Sequence, residues 1–315
     1  MKWEVDFMST EAIRKRAVSG LIFPSFLILI CLLSTTLSDE LSGYVKSGME
    51  LAALVIIPSV FPFMILSDLI ACTVDFSAMG RFGCIFKRLF SVSSVALGAT
   101  VIGMLAGFPI GARMVAELYR RGSISRRDAE VIAAVASTPS LAFTVSGVGA
   151  AMLGDVRLGV VLYLSVILSA VITGVFIRGD LSQCGALPLR PRRFDLFASI
   201  ESATRSSLGI IGVVTAFSVV AGLVRDFLGS LPAAFILPFL ELGGAASFIA
   251  SASIDERLRV ALIGFSLGFS GLSVHLQIRG ALADTDIGYR RFLFMKLAEG
   301  ALTAAIASVF HCFCQ

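Results

Sequence analysis

The sequence predicts an all-α polytopic membrane protein with an inverted structural repeat that contains two re-entrant helical hairpins and two broken transmembrane helices. Three observations lead to this fold class. The composition is strongly apolar, two short Gly- or Pro-containing motifs of the first half have similar counterparts 132 positions later, and the basic residues are concentrated in a few short loops. A chain with these properties is expected to reside in a lipid bilayer.

Apolar residues make up 57% of the 315 residues and charged residues only 15%, and the mean hydropathy is +0.91. These values exclude an ordinary soluble domain. Most charge-free runs approach the ~20 residues that a helix needs to cross the bilayer. They are Ala17–Ser38, Leu51–Ser67, Leu89–Ala112, Val131–Gly154, Leu158–Ile177, Ser206–Val224 and Val260–Ile278, with a weaker candidate at Phe292–Phe313. A helical bundle satisfies the backbone hydrogen bonds of such segments in lipid.

The net charge, the cysteines and the first apolar run narrow the functional class. The net charge of +4 does not indicate a nucleic-acid partner, because the basic residues lie in short loops between apolar segments. The six cysteines lie mostly in or beside apolar segments, so we interpret them as small buried hydrophobes in a reduced compartment. The apolar run after Arg14–Arg16 lacks a clear cleavage site, which favours a retained helix, whether the chain starts at Met1 or at Met8.

Two motifs of the first half have counterparts at a constant offset in the second half. Gly107–Ala112 (GFPIGA) corresponds to Phe239–Gly244 (FLELGG), and Ser137–Leu141 (STPSL) corresponds to Phe269–Ser273 (FSGLS). Each half therefore has an apolar hairpin followed by a helix interrupted at Gly or Pro. In secondary transporters this pattern marks a substrate site at the repeat interface, so the chain is interpreted first as a carrier.

The distribution of Lys and Arg favours one of two topologies, since these residues prefer the cytoplasmic side. If Leu89–Ala112 and Phe227–Ile254 are re-entrant hairpins, 21 of the 26 basic residues are cytoplasmic; if both segments cross the membrane, 13 are. The count favours hairpins that enter from opposite sides, which makes the two halves inverted copies. It also places the N-terminus in the cytoplasm of a multi-pass protein of the cell membrane.

Four parts of the chain follow from this topology. Residues 1–46 form an N-terminal cytoplasmic segment and the first transmembrane helix, residues 47–178 the first repeat, residues 179–197 a cytoplasmic linker, and residues 198–315 the second, inverted repeat. The linker prediction rests on a polar stretch that contains Pro188 and Pro191.

Two charged residues are candidates for contact with a solute. Glu241 is a carboxylate deep in an apolar segment, where a charge costs ~2.5–3.5 kcal/mol on insertion scales, so we expect it to face a cavity as a substrate or coupling-ion ligand. The alternative is a hairpin-tip Glu that reaches water. Arg113 follows the first hairpin turn and suits a carboxylate ligand, although a cytoplasmic anchor explains it too.

The interrupted helices supply the other candidate ligands. A break frees backbone N–H and C=O groups, and a half-helix N-terminus there favours an anion. Ser and Thr hydroxyls in such helices also bond their own backbone, and a lone His is often only a helix contact. The expected substrate-binding residues are Gly107, Phe108, Pro109, Gly111, Arg113, Ser137, Thr138, Pro139, Ser140, Glu241, Ser270, Gly271, Ser273, His275 and Gln277.

Two other functional classes were weighed. Gly268–Gly271 (GFSG) matches the Gly-x-Ser-Gly of rhomboid-type intramembrane serine proteases, with His311 on a later helix. The match is short in a chain rich in Gly and Ser, and the repeat explains Ser270 and Gly271 without catalysis. A structural or assembly protein of the membrane would not account for inverted hairpins. We therefore expect no enzymatic activity, catalytic residue or metal site.

A resemblance to a known family is carried by four parts of the chain: Gly107–Arg113 with Glu117–Tyr119, Gly147–Gly149, Phe239–Leu242 and Leu267–Gln277. In these stretches the chain resembles the sporulation integral membrane protein YlbJ family, which carries a nucleoside-recognition or Gate domain. They are spread over nearly the whole chain, and the last is the most specific.

The resemblance implies a fold related to concentrative nucleoside carriers and movement of dipicolinate, a planar pyridine dicarboxylate, across the membrane around the developing spore. In that family asparagines commonly precede a Pro-Leu-Phe in the first broken helix, whereas this chain has Ser137–Phe143 (STPSLAF), which bears on substrate identity more than on fold. A nucleoside or another small metabolite is the alternative solute. The expected partners are this solute and the bilayer; the coupling ion, Na⁺ or H⁺, and a homo-oligomer are left open.

Overall fold

The computed structural model describes residues 38–73, 80–178 and 193–314, and this part of the chain is helical without a strand. The first expected span, apart from Ser38, and most of the expected linker lie outside the described residues. In the first half the helices are α1 (Ser38–Glu50), π1 (a π-helical segment, Leu51–Ile56), α2 (Ile57–Thr73), α3 (Gly80–Phe90), α4 (Ala96–Ala106), α5 (Ile110–Arg120), α6 (Arg126–Val135), π2 (a second π-helical segment, Phe143–Met152) and α7 (Val156–Ile177). In the second half they are α8 (Leu196–Leu228), α9 (Ser230–Leu240), α10 (Leu242–Ser251), α11 (Glu256–Phe269), α12 (Gly271–Ala281) and α13 (Tyr289–Cys314).

The described helices include four that are long and apolar enough to cross a membrane. They are Val156–Ile177, Leu196–Leu228, Glu256–Ala281 and Tyr289–Cys312. A fifth span results if Asp39–Ile56 and Val60–Ile70, which meet at an angle of 47°, are taken as one bent helix. The protein is therefore an all-α polytopic membrane protein.

The two apolar segments expected to be hairpins form helix–turn–helix units. In the first, α4 ends at Ala106 and Gly107 turns the chain with φ of +82°, a conformation that glycine adopts without strain. In the second, α9 ends at Leu240 and α10 starts at Leu242, with only Glu241 between them. The first unit is longer than the charge-free run, because α5 continues beyond Arg113 as an amphipathic helix.

Both helices that follow the hairpins are interrupted. After α6 ends at Val135, residues 136–140 are not helical, and the helix resumes at Leu141 before π2. The second interruption is sharper, since Ser270 and Gly271 between α11 and α12 have φ of +76° and +69°. Free backbone groups therefore occur at both places where the sequence has Pro139 and Gly271.

Small residues let these elements pack closely. Every residue from Asp128 to Ser140 is buried, and a Cβ on Gly268 would come within 2.8 Å of the Gly300 Cα on α13. Small side chains at helix contacts are typical of bundles in membranes, where they let backbones approach. The core thus lies around α6, α11 and α13.

Several loops meet at one end of the molecule, which we call the basic end. The Tyr119 hydroxyl donates to Asp286 at 2.5 Å, and Arg126 lies 3.4 Å from the same carboxylate. Arg127 donates to the carbonyl of Arg178 at 3.2 Å. The α5–α6 loop, the end of α7 and the α12–α13 loop therefore share this end, while His311 pairs with Glu256 at 3.4 Å at the opposite end of α13.

Candidate functional site

The first hairpin turn lies directly on the first helix interruption. The backbone N–H of Phe108 donates to the carbonyl of Thr138 at 3.1 Å. A Cβ on Gly107 would come within 2.6 Å of the Ser140 nitrogen, and a Cβ on Gly111 would overlap the Ala136 carbonyl oxygen. The glycines of this motif are therefore required for close approach as well as for the turn.

The second hairpin turn lies on the second interruption in the same manner. A Cβ on Gly271 would come within 3.1 Å of the Leu242 nitrogen and 3.2 Å of the Glu241 Cα. The Glu241 carboxylate caps α10, because it accepts hydrogen bonds from the N–H of Gly243, at 2.9 Å, and of Gly244. This is the N-cap role that an acidic residue suits by charge and geometry.

A small cavity lies between the two turns, beside the first interruption and α12. Its volume is about 30 Å³, room for one or two water molecules. Four of the expected site residues line it, and the rest of the wall is almost entirely apolar. The expected residues are Phe108, Ser140, Glu241 and Gln277; the others are Ile56, Phe143, Ile210, Val214, Leu242, Gly243 and Val274. We call it the central cavity.

Two larger vestibules flank the central cavity along α8. One, of about 540 Å³, shares Ile210 and Gln277 with the cavity; its charged lining residues are Arg113, Arg120 and Arg205. We call it the basic vestibule. The other, of about 640 Å³, includes Tyr44, Arg225, Asp226 and Gly244. Twenty residues separate Arg205 from Arg225 on one helix, or ~30 Å at 1.5 Å per residue, so the vestibules open toward opposite ends of the bundle.

The arginines of the basic vestibule differ in their partners. Arg120 pairs with Glu117 at 2.9 Å and Arg205 pairs with Glu201 at 3.0 Å. Arg113 forms no ion pair with any residue in the described ranges, and its side chain is exposed. Its guanidinium is thus free to meet an anion that enters the vestibule.

Side-chain donors from the second half occupy the freed carbonyls of both interruptions. Lys296 on α13 donates from Nζ to the Ser137 carbonyl at 3.0 Å and to Glu299 Oε2 at 2.5 Å. His275 Nε2 lies 2.8 Å from the Phe269 carbonyl, and its Nδ1 lies 2.7 Å from the Tyr289 hydroxyl. A neutral imidazole satisfies both contacts if Nε2–H donates to the carbonyl and Nδ1 accepts from the tyrosine.

The Lys296–Glu299 pair is the feature that sequence reasoning missed. Both residues lie in Phe292–Phe313, which the sequence predicted only as a weaker candidate span. The structure buries both completely, because each charge neutralises the other and the lysine finds a second acceptor. The i, i+3 spacing of opposite charges in an apolar run is the sequence signal that could have identified this pair.

Several expected residues have buried polar atoms without a partner in the described part of the chain, and of these residues Gln277 also lines the central cavity. The buried hydroxyls of Ser137, Thr138 and Ser273, and the amide oxygen of Gln277, accept or donate no hydrogen bond within the described part of the chain. Ser270 donates to the Leu267 carbonyl at 3.2 Å. The set therefore includes several polar atoms with unused bonding capacity.

The structure does not bring Ser270 and His311 together. His311 pairs with Glu256 at the start of α11, whereas Ser270 follows its last residue. Fourteen residues of helix separate Glu256 from Ser270, or ~20 Å. The described residues therefore hold no Ser270–His311 pair, and within those ranges no cluster of three metal-ligating side chains occurs either.

Similarity to a known protein extends over nearly the whole chain. The curated sporulation integral membrane protein YlbJ of Bacillus subtilis (strain 168) is 24% identical over 337 aligned residues, which cover 91% of this chain and 81% of the relative. No family model matches the chain, and no solved structure matches it. The similarity includes the regions of both hairpins and both interruptions, since it covers most of the chain. It supports the assignment of this chain to the YlbJ family of sporulation integral membrane proteins.

Proposed function

We propose that this protein is a carrier for a small organic anion and that it works by alternating access at the central cavity. The observation that carries the proposal is one cavity lined by both hairpin turns, by the first interruption at Ser140 and by the half-helix α12 that follows the second interruption, with a vestibule on either side. Carriers built from repeats bind their solute at such a junction of discontinuous helices.

The small volume of the central cavity implies that it must open during transport. A cavity of about 30 Å³ is far below the ~300 Å³ at which pockets for small organic ligands begin, so it must widen before it can hold such a solute. Separation of the Gly107–Pro109 turn from the interruption before π2 would join the cavity to the basic vestibule. Separation of the Glu241 turn would join it to the opposite vestibule.

The arrangement of the loops supports inverted re-entrant hairpins. Two crossing hairpins would place the α5–α6 loop and the α12–α13 loop on opposite sides of the membrane, whereas Tyr119 and Arg126 contact Asp286. The basic end carries many arginines of the chain, which supports a cytoplasmic orientation for it and for the basic vestibule.

Dipicolinate is the solute that we propose first. The similarity to a sporulation integral membrane protein supports a role in spore formation, for which the membrane around the forespore is the proposed location. A planar dicarboxylate would find the guanidinium of Arg113, which forms no ion pair within the described ranges, in the basic vestibule, and Arg matches carboxylates bidentately. Transport would then start with capture of the dianion in the basic vestibule.

A nucleoside is the second candidate, and the lining of the central cavity favours it. The polar groups there are the Glu241 carboxylate, the Gln277 amide and the Ser140 hydroxyl, with no basic side chain. These groups pair with the hydroxyls and amides of a neutral solute, whereas a dianion would be repelled by an ionised Glu241.

Uptake into liposomes tests both candidates. Purified protein is reconstituted and offered labelled dipicolinate and labelled nucleosides in parallel, with protein-free liposomes as the control. Saturable dipicolinate uptake supports the proposal, and saturable nucleoside uptake alone retains the carrier but replaces the solute. Folded, inserted protein that moves neither compound would contradict the proposal.

A further inference from the structure

The interruption between α6 and π2 has a cation of the protein itself at its centre. Lys296 is 0% exposed and donates to the freed Ser137 carbonyl at 3.0 Å. In carriers with broken helices, unwound carbonyls and half-helix C-terminal ends are the usual ligands of a coupling ion. Here the ammonium group lies at that position, next to the C-terminal end of α6, where a positive charge is favourable.

Lys296 contacts two oxygens, the Ser137 carbonyl and Glu299 Oε2, and Ser137, Thr138 and Glu299 offer further oxygens. Glu299 Oε2 accepts from Lys296 at 2.5 Å, while Glu299 Oε1 and the hydroxyls of Ser137 and Thr138 are buried and have no hydrogen-bond partner among the described residues. Oxygens of carbonyl, carboxylate and hydroxyl groups are what a hard metal cation prefers. One carboxylate balances one positive charge, which is supplied by Lys296.

The second interruption is satisfied in an analogous way. Its freed carbonyl, that of Phe269, lies 2.8 Å from His275 Nε2. The two interruptions thus share one arrangement. In each, a side-chain N–H from the second half donates a hydrogen bond to a carbonyl that lost its helical partner at the break. A metal ion at either carbonyl would have to displace this donor.

We propose that Lys296 takes the place of a coupling sodium ion at the first interruption, so that solute transport by this protein is independent of sodium. The consequence for transport rests on the proposed carrier function, but the occupancy of the site by the lysine does not. Removal of the ammonium should convert the Ser137–Glu299 region into a site that binds Na⁺.

Thermal unfolding of purified protein in detergent tests this inference without a solute. We compare Tm in NaCl and in KCl at equal ionic strength for the native chain, for Lys296→Ala and for Lys296→Arg. The native chain and Lys296→Arg should have equal Tm in both salts, since each retains a cation at the site. The Tm of Lys296→Ala should be a few degrees higher in NaCl than in KCl, because a ligand that binds only the folded state stabilises it.

Two results would overturn the proposal: a sodium-specific rise of Tm in the native chain, or a folded Lys296→Ala variant that is indifferent to Na⁺. If Lys296→Ala does not fold because Glu299 is left unpaired, Lys296→Gln, which keeps a neutral N–H donor, is measured in its place under the same criteria. In liposomes, solute uptake by the native chain should change less than twofold when Na⁺ is replaced by K⁺. A large sodium stimulation there would refute sodium independence, whereas absence of all uptake bears on the carrier function alone.

Discussion

The backbone N–H of Phe108 donates a 3.1 Å hydrogen bond to the carbonyl of Thr138, which joins the first hairpin turn to the interrupted helix beside it. Neither group has a partner within its own helix, since each lies in a break of regular structure. The bond therefore satisfies a donor and an acceptor. Without it, each group would lack a hydrogen-bond partner at a cost of ~1–3 kcal/mol. Motion of the hairpin away from the interruption must break it, so it belongs to the contacts that keep the central cavity small.

Substitution of Gly111 should impair this junction. A Cβ at Gly111 would overlap the Ala136 carbonyl oxygen, so Gly111→Ala forces α5 away from the interruption at a cost of ~1–3 kcal/mol. We expect a lower Tm and reduced uptake. The matched control is Gly212→Ala on α8, where an added Cβ meets nothing within 4 Å. Equal Tm for the two variants would show that the close approach at Gly111 does not contribute to stability.

Neutralisation of Glu241 should abolish transport while the protein remains inserted. Glu241→Gln removes the buried charge and one of two acceptors that cap α10, and loss of a cap costs ~0.5–2 kcal/mol. Asp255→Asn is the control, because Asp255 caps α11 through the N–H groups of Arg257 and Leu258 but does not line the cavity. Uptake and Tm are measured for both. Normal uptake by Glu241→Gln would exclude an essential role for the carboxylate.

Removal of Arg113 should weaken capture of an anionic solute. If its guanidinium meets a carboxylate in the basic vestibule, Arg113→Gln should raise KM by about tenfold, which corresponds to ~1.4 kcal/mol of binding. The KM of Arg113→Lys should lie between those of the native chain and Arg113→Gln. Arg121→Gln is the control: Arg121 pairs with Glu117 at 2.6 Å and is not part of the vestibule. An unchanged KM in Arg113→Gln would leave Arg113 as a membrane anchor only.

Cysteine labelling should place two distant loops on the same side of the membrane. In a background without native cysteines, Arg121→Cys and Asp284→Cys should both react with an impermeant maleimide from the cytoplasmic side, and Ser253→Cys from the other side. This follows from the contacts of Tyr119 and Arg126 with Asp286. Reaction of the first two positions from opposite sides would be incompatible with re-entrant hairpins.

Stability should fall in acid because carboxylates at the basic end are stabilised in their charged form. Hydrogen bonds from Arg121 and Arg120 lower the pKa of Glu117 from its ordinary value of 4.5, and a bond from Tyr119 lowers the pKa of Asp286 from 3.8. A lowered folded-state pKa gives stability that is present above the ordinary value and is lost as pH falls through the folded value. Tm in detergent should therefore decrease below about pH 4.5.

Glu117→Gln should reduce this acid sensitivity, since the variant has no proton to take up at that position. Asp284→Asn is the control, because Asp284 is exposed and forms no ion pair within the described ranges. An identical pH profile for the native chain and Glu117→Gln would show that the Arg120–Glu117–Arg121 contacts do not contribute to folding.

Several features of the molecule follow from the sequence alone because they depend on local chemistry. Apolar run length predicts spans through the cost of exposing backbone to lipid, and Gly107 and Gly271 mark backbone turns because glycine tolerates positive φ. The similarity of the two halves predicted which segments would be interrupted. The extent of α5 was underestimated, since an amphipathic helix at the bundle end continues through charges that would end a buried span.

The sequence by itself determined that the chain is a helical membrane protein with two Gly- and Pro-interrupted regions, because hydropathy and backbone freedom are properties of single residues and short segments. Only the tertiary structure decided which groups meet: that each hairpin turn lies on the interruption that follows it, that Arg113 lines a vestibule, and that Lys296 reaches the Ser137 carbonyl 159 positions earlier. A charge in an apolar run is compatible with an anchor, a ligand or a buried pair. The choice depends on the partner that packing brings within hydrogen-bond distance, and the order of residues along the chain does not encode that distance.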